Sequence, residues 1–149
     1  MNKIVLPNEI MLGEVSALLS EGKEVEILTK GVSMLPFIKG DIDSVLLVRK
    51  DTVEAGDIVL AEILDGRYVL HRVRRVSARG VILKGDGNLR GTERCAVSDV
   101  KGTVKTIIRP GHTIDPNSPA QIRNWKRWCK LPRLVRRVVL GILRRVLYS

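Results

Sequence analysis

Two residues of this 149-residue chain stand where a side chain could do covalent chemistry, Ser33 and His71. Ser33 lies in Lys30-Gly31-Val32-Ser33-Met34-Leu35-Pro36-Phe37-Ile38-Lys39-Gly40-Asp41, an otherwise mostly apolar segment punctuated by glycines. Gly31 opens backbone conformations closed to other residues, while Pro36 fixes its own φ and drives Leu35 out of the helical region. Such a turn presents the serine hydroxyl rather than burying it. A hydroxyl is a weak nucleophile until a base within hydrogen-bonding reach takes its proton. The chain has two histidines, and His71 sits within the strand-like run Tyr68-Val69-Leu70-His71-Arg72-Val73. An imidazole base must be neutral, so a serine–histidine dyad gains activity as pH rises through neutrality. Neither signal is specific alone. A turn serine without chemistry and a core histidine bonded to backbone explain the same residues. Lys84-Gly85-Asp86-Gly87-Asn88 also reads as ordinary Asp-Gly and Gly-Asn turn chemistry. His112, in Pro-Gly-His-Thr, reads as a solvated loop residue.

The elements that must position these residues are mostly strands. Residues 7–20 are predicted helical: Asn8 can cap, Ile10, Leu12, Val15, Leu18 and Leu19 recur at helical spacing, and Gly22 stops the run. Strands are predicted over 24–29, leading into the Ser33 turn, and over 44–49, 58–64, 67–76, 81–84 and 100–109. Asp65-Gly66 is a two-residue hairpin signal. Within 67–76, alternation sets Val69, His71 and Val73 on one face and Leu70 and Arg72 on the other. Pro110, Gly111, Pro116 and Pro119 mark a linker over 110–119, which divides a body of residues 1–109 from a tail of residues 120–149.

Composition limits what the body and tail can be. Aromatics are only 3% of the chain, so Val, Ile and Leu must build the core, and their β-branching favours a sheet. The length is that of one ordinary domain. Of the net charge of +10, residues 1–115 hold 17 Lys/Arg against all 16 acids, whereas residues 116–149 hold 9 Lys/Arg and no acid. The basic character therefore belongs to the tail. Ile4-Val5-Leu6 is too short for a signal-peptide core, and no run of about 18 apolar residues suggests a spanning helix. Cys95 and Cys129 have no metal-site spacing and are expected to be free thiols; no cofactor or metal is expected.

The order Gly-x-Ser-Met-x-Pro, Gly-Asp-Ile-Val, His-Arg-Val, Lys-Gly-Asp-x-Asn resembles the signal peptidase I superfamily, which also contains the self-cleaving repressors. The match runs from about Gly31 to Val104, half the chain. A lysine base is usual in the bacterial enzymes and repressors; His71 before Arg72 is similar to the serine–histidine branch of endoplasmic-reticulum and archaeal type. The resemblance implies a coiled, mainly antiparallel β fold of α+β class, with an N-terminal helix and a helical tail. It implies Ser33 as nucleophile, His71 as base and Asp86 as the carboxylate orienting the imidazole. Gly31 and Met34 fall on the substrate and oxyanion side, and the backbone N–H of Ser33 is the implied oxyanion donor. Gly31 supplies no side-chain donor there. The branch often has a further aspartate after this box; here Leu89-Arg90-Gly91-Thr92-Glu93 follows, so either Glu93 substitutes or that role is missing. Substrate would lie extended beside an edge strand, with small residues near the scissile bond. Family enzymes carry an N-terminal membrane anchor, and none is read here.

The tail supplies a second expectation. From Trp125 to Leu147 a helical projection gathers both tryptophans with Leu131, Leu134, Val135, Val138, Val139, Ile142, Leu143 and Val146, opposite Lys126, Lys130, Arg133, Arg137 and Arg144. Pro132 divides or kinks it. This is the pattern of an interfacial helix on an anionic membrane, with packing on the body or an oligomer contact as the competing reading and nucleic acid disfavoured for want of any recognisable binding motif. The expected protein is a serine endopeptidase trimming a leader or signal-like peptide of a precursor, peripheral to a membrane on its cytoplasmic face. The alternative is a catalytically inactive or self-cleaving regulator on the same fold, acting as a membrane-attached binding module. Self-cleavage is disfavoured because no Ala-Gly or Cys-Gly pair precedes Ser33.

Overall fold

The computed structural model describes residues 2–3, 12–64 and 67–149. The expected cap at Asn8 and the Asp65-Gly66 turn lie outside the described residues. Among the described residues nine strands form one sheet: β1 (Asn2–Lys3), β2 (Val25–Leu28), β3 (Ser44–Val48), β4 (Ile58–Leu64), β5 (Arg67–Ser77), β6 (Gly80–Lys84), β7 (Glu93–Cys95), β8 (Val100–Arg109) and β9 (His112–Ile114). Their order is β1-β2-β3-β8-β4-β5-β6-β7, with β9 also on β8. Only β1–β2 is parallel among these pairs. Register shifts at Leu46/Leu47, Leu60/Ala61, Glu62/Leu64 and Val73/Arg75 each insert an irregularity into one strand. Such bulges increase local twist, and the sheet curls into a half-barrel.

The curl encloses one apolar cluster and leaves another on a second face. Helix α1 (Leu12–Ser20) places Val15 and Leu19 against Val25, Leu47, Leu60 and Val104. Val59, Ala61, Val73, Val81, Leu83 and Cys95 form the second cluster. Both are built mainly of Val, Leu, Ile and Ala, with Met34 in the first and Cys95 in the second, as the scarcity of aromatic residues requires.

Residues 110–119 are more ordered than a linker. Ile107 pairs with Ile114 and Arg109 with His112, so β9 folds back on β8. The β4 pairing with β8 ends at Thr103, which leaves the far half of that β8 edge for β9 to occupy. His112 is thus an exposed strand residue instead of a loop residue. Helix α2 (Pro119–Lys130) then starts where Ser118 Oγ accepts from Gln121 N and proline occupies the first turn. Leu131-Pro132 ends it, and α3 (Arg133–Tyr148) follows.

Both tail helices rest on the body. Trp128 and Leu140 are buried with Leu35 in a third cluster, flanked by Phe37, Val139 and Leu147, and Trp125 is buried as well. The two tryptophans, expected on a membrane-facing side, are instead part of the protein interior. Burial of two large indoles against the body outweighs leaving them in solvent.

Candidate active site

The Ser33 turn is held by a frame of buried polar contacts. Thr29 N donates to Asp43 O at 3.0 Å, and Asp41 N returns a bond to Thr29 O at 2.8 Å, which closes the loop at its base. The fully buried Asp43 carboxylate accepts from Lys39 N at 2.8 Å and from Arg109 Nη2 at 2.9 Å, while Arg109 also donates to Phe37 O. Gly31 adopts φ +77°, the left-handed region its lack of a side chain permits. Met34, Leu35 and Ile38 point into the apolar clusters, which leaves Ser33 half-buried at the surface of a cleft.

His71 arrives from β5 and meets the serine. Its Nε2 lies 3.2 Å from Ser33 Oγ, and its Nδ1 lies 2.6 Å from Glu93 Oε1. Sheet register explains why Glu93 is the carboxylate there. Val73 pairs with Leu83 and Leu83 with Glu93, so Glu93 shares the face that alternation assigns to Val73 and His71. With Nδ1–H donating to Glu93, Nε2 is left as the acceptor facing the hydroxyl.

Asp86 is not the residue on the imidazole. It lies on the other side of the strand, where its carboxylate accepts from Arg72 Nε at 3.3 Å and from Nη2 at 2.7 Å. Arg72 neighbours His71 in sequence and therefore points to the opposite face. Both side chains of the ion pair are 2% exposed. Burial raises the Asp86 carboxyl above the usual carboxylate range, with the Arg72 guanidinium pulling it back down. Trp125 covers the guanidinium at 4.9 Å and Phe37 at 5.4 Å. Trp128 Nε1 donates to Asp86 O at 2.8 Å, so α2 completes this buried assembly. Alternation placed Arg72 correctly on the face away from His71; what covers that face comes from residues far along the chain.

The Asp86 turn still touches the reacting groups through its backbone. Gly87 N donates to Ser33 O at 2.8 Å. A Cβ added to Gly85 would lie 2.5 Å from Ser33 O and 3.1 Å from His71 Nε2, so the turn can approach this closely only as glycine. Asp86 is thus brought beside the site as an anchor for its backing turn. The tail reaches the serine loop from a second direction, because Tyr148 Oη donates to Gly40 O at 2.8 Å. Trp125, Trp128, Arg72 and Tyr148 gave no chemical signal in the sequence; the tryptophans stood out there only as an apolar helical face.

Ser33, His71 and Glu93 sit at a cleft of ≈ 700 Å³ lined on one side by 27–31 and on the other by 67–71. Gly31 and Met34 line it as well, as does Asn88. Each flanking segment has a sheet partner on one side only among the described residues. β2 pairs with β1 only as far as Glu26, and β6 joins β5 only from Arg72 onward. The cleft floor is apolar, with Ile27, Met34, Ile38, Leu60 and Leu70. No protein-family model matches the chain.

Proposed function

We propose that this protein is a serine endopeptidase of signal-peptidase type. The observation that carries the reading is the Ser33 Oγ–His71 Nε2 separation of 3.2 Å, continued on the other ring nitrogen by Glu93 at 2.6 Å. Glu93 takes the orienting role first expected of Asp86. In the reaction, Ser33 Oγ attacks the scissile carbonyl carbon while its proton passes to His71 Nε2. Glu93 holds the Nδ1 proton and favours the imidazolium that forms. The Ser33 backbone N–H is the donor suited to the developing oxyanion. Collapse breaks the C–N bond, the amine leaves with the proton from Nε2, and an acyl ester remains on Ser33. Water, losing a proton to His71, attacks that ester; the carboxylic product departs and Ser33 recovers its proton.

Substrate of this type is an extended peptide between the two strand edges, gaining main-chain hydrogen bonds from both. The apolar floor suits small aliphatic side chains on alternate positions. The test does not need the natural precursor. A fluorophosphonate probe should label Ser33 in the full-length protein, and Ser33→Ala or His71→Ala should abolish labelling with unchanged thermal unfolding. Cleavage of a quenched peptide with alanines around the scissile bond should fall at least ~10⁴-fold in the same variants. Full labelling of His71→Ala would overturn the assignment of the base.

A further inference from the structure

Docking on the body uses only part of the apolar surface of α3. Leu140 faces inward at 2% exposure, and Val139 and Leu147 pack beside it. On the opposite side, Leu134 is 70% exposed, Val138 54%, Ile142 57% and Val146 73%, with Val135 less so. At 100° per residue, Val138 and Ile142 lie within about 40° of the direction opposite Leu140. These five residues, Leu134 to Val146, form one stripe along the helix, with a length of roughly 18 Å. An outward aliphatic row of this kind is not required by the fold, because the core contacts lie on the other side.

The charge around it is of one sign. Arg133, Arg137, Arg144 and Arg145 are exposed on the same helix, and residues 116–149 contain no acid. Among the described residues no carboxylate pairs with these four arginines. None of the described helices is long and apolar enough to cross a membrane. We infer that α3 docks lengthwise on an anionic lipid surface, its 134–146 stripe entering the acyl boundary and its arginines meeting lipid phosphates. On the same angular count Arg145 lies within the stripe, and Arg137 and Arg144 lie about 60–80° beyond its Leu134 edge, so guanidinium groups on long stems along one flank reach the anionic layer while the aliphatic residues enter the apolar one. A second protein copy fits less well, since it would set the same uncompensated arginines against one another. The inference does not depend on peptidase activity. It also differs from whole-tail insertion, because Trp125 and Trp128 remain in the body.

The test uses full-length protein and vesicles of phosphatidylcholine with or without about one third phosphatidylglycerol. Co-sedimentation is expected with the anionic vesicles and weak with the neutral ones, and about 0.5 M salt should release most of the protein. Val138→Glu with Ile142→Glu should weaken binding at least tenfold, as should Arg137→Gln with Arg144→Gln and Arg145→Gln. These sites are exposed, so thermal unfolding should not change. Tryptophan emission should stay constant on binding, whereas a blue shift would mean that the tail leaves the body and would overturn lengthwise docking. Equal binding to neutral vesicles, or binding to neither, would overturn it too. So would a wild-type dimer that the glutamate variants split, or binding to duplex nucleic acid in preference to anionic vesicles.

Discussion

Replacing Glu93 by Gln separates the two carboxylates near the site. Glu93 Oε1 accepts from His71 Nδ1 at 2.6 Å, a short charge-assisted bond. Gln keeps the shape but removes the charge, and its amide can turn its NH₂ toward Nδ1. That would favour the tautomer with the proton on Nε2, which cannot accept from Ser33. In a fully buried serine triad this kind of change costs about 10⁴ in rate. Here the Glu93 side chain is 24% exposed, so water can restore part of the orientation, and a loss of about 10²–10³ in kcat is expected. Because Glu93 acts through His71, KM should move less than about threefold. The assay is steady-state cleavage of the quenched alanine peptide, with fluorophosphonate labelling rate as a second readout. Glu93→Asp, which keeps the charge on a shorter stem, should recover part of the rate. Stability should fall by no more than about 1.5–3 kcal/mol, the net worth of a hydrogen bond to a charged group. A rate within threefold of wild type in Glu93→Gln would refute the relay.

The remaining predictions concern the frame behind the dyad. Arg72→Met strands a buried carboxylate and removes the stack under Trp125, so it should cost about 3–5 kcal/mol in denaturant unfolding. Its pH dependence follows from the raised Asp86: a carboxyl with a raised folded pKa stabilises most when protonated, below the unfolded value near 3.9, and that contribution is lost as pH rises through the folded value. The deficit of Arg72→Met should therefore narrow between about pH 7 and pH 4, and a deficit that widens would refute this sign. Asp86→Asn leaves Arg72 without its charged partner and should be read mainly as a loss in thermal unfolding, with any activity loss tracking stability rather than chemistry. Deleting 120–149 removes Trp128, Leu140 and the Tyr148 bond to Gly40, so soluble-peptide cleavage should fail along with the fold. A truncated protein with wild-type activity and melting behaviour would show that the tail is dispensable.

Much of this architecture was legible because it is local. Alternating β-branched residues marked β3, β4, β5, β6 and β8 nearly to the residue, and Pro132 marked the break between α2 and α3. The Ser33 turn was legible for the same reason, since Gly31 and Pro36 act on their own dihedrals. Short strands escaped: β7 is three residues, Glu93–Cys95, too few to show a period. β9 lay among prolines and a glycine that read as a linker. With β7 unseen, the register that puts Glu93 on the His71 face was unseen too.

What the sequence alone determined was therefore a set of elements, a serine turn, a histidine strand and a cationic tail. Which carboxylate faces the imidazole was decided only in three dimensions. Asp86 lies in a glycine turn that looked suitable, yet its buried partner is Arg72, one residue and one strand face away from His71. Pairing across three strands selected Glu93 instead. The tail shows the same division. A helical projection groups both tryptophans with Leu134, Val138, Ile142 and Val146 on one broad face and leaves Leu140 off it, because it measures only angle. Contact with Leu35 and the Arg72–Asp86 pair divides that face, turning Trp125 and Trp128 inward beside Leu140 and leaving Leu134, Val138, Ile142 and Val146 to the outside.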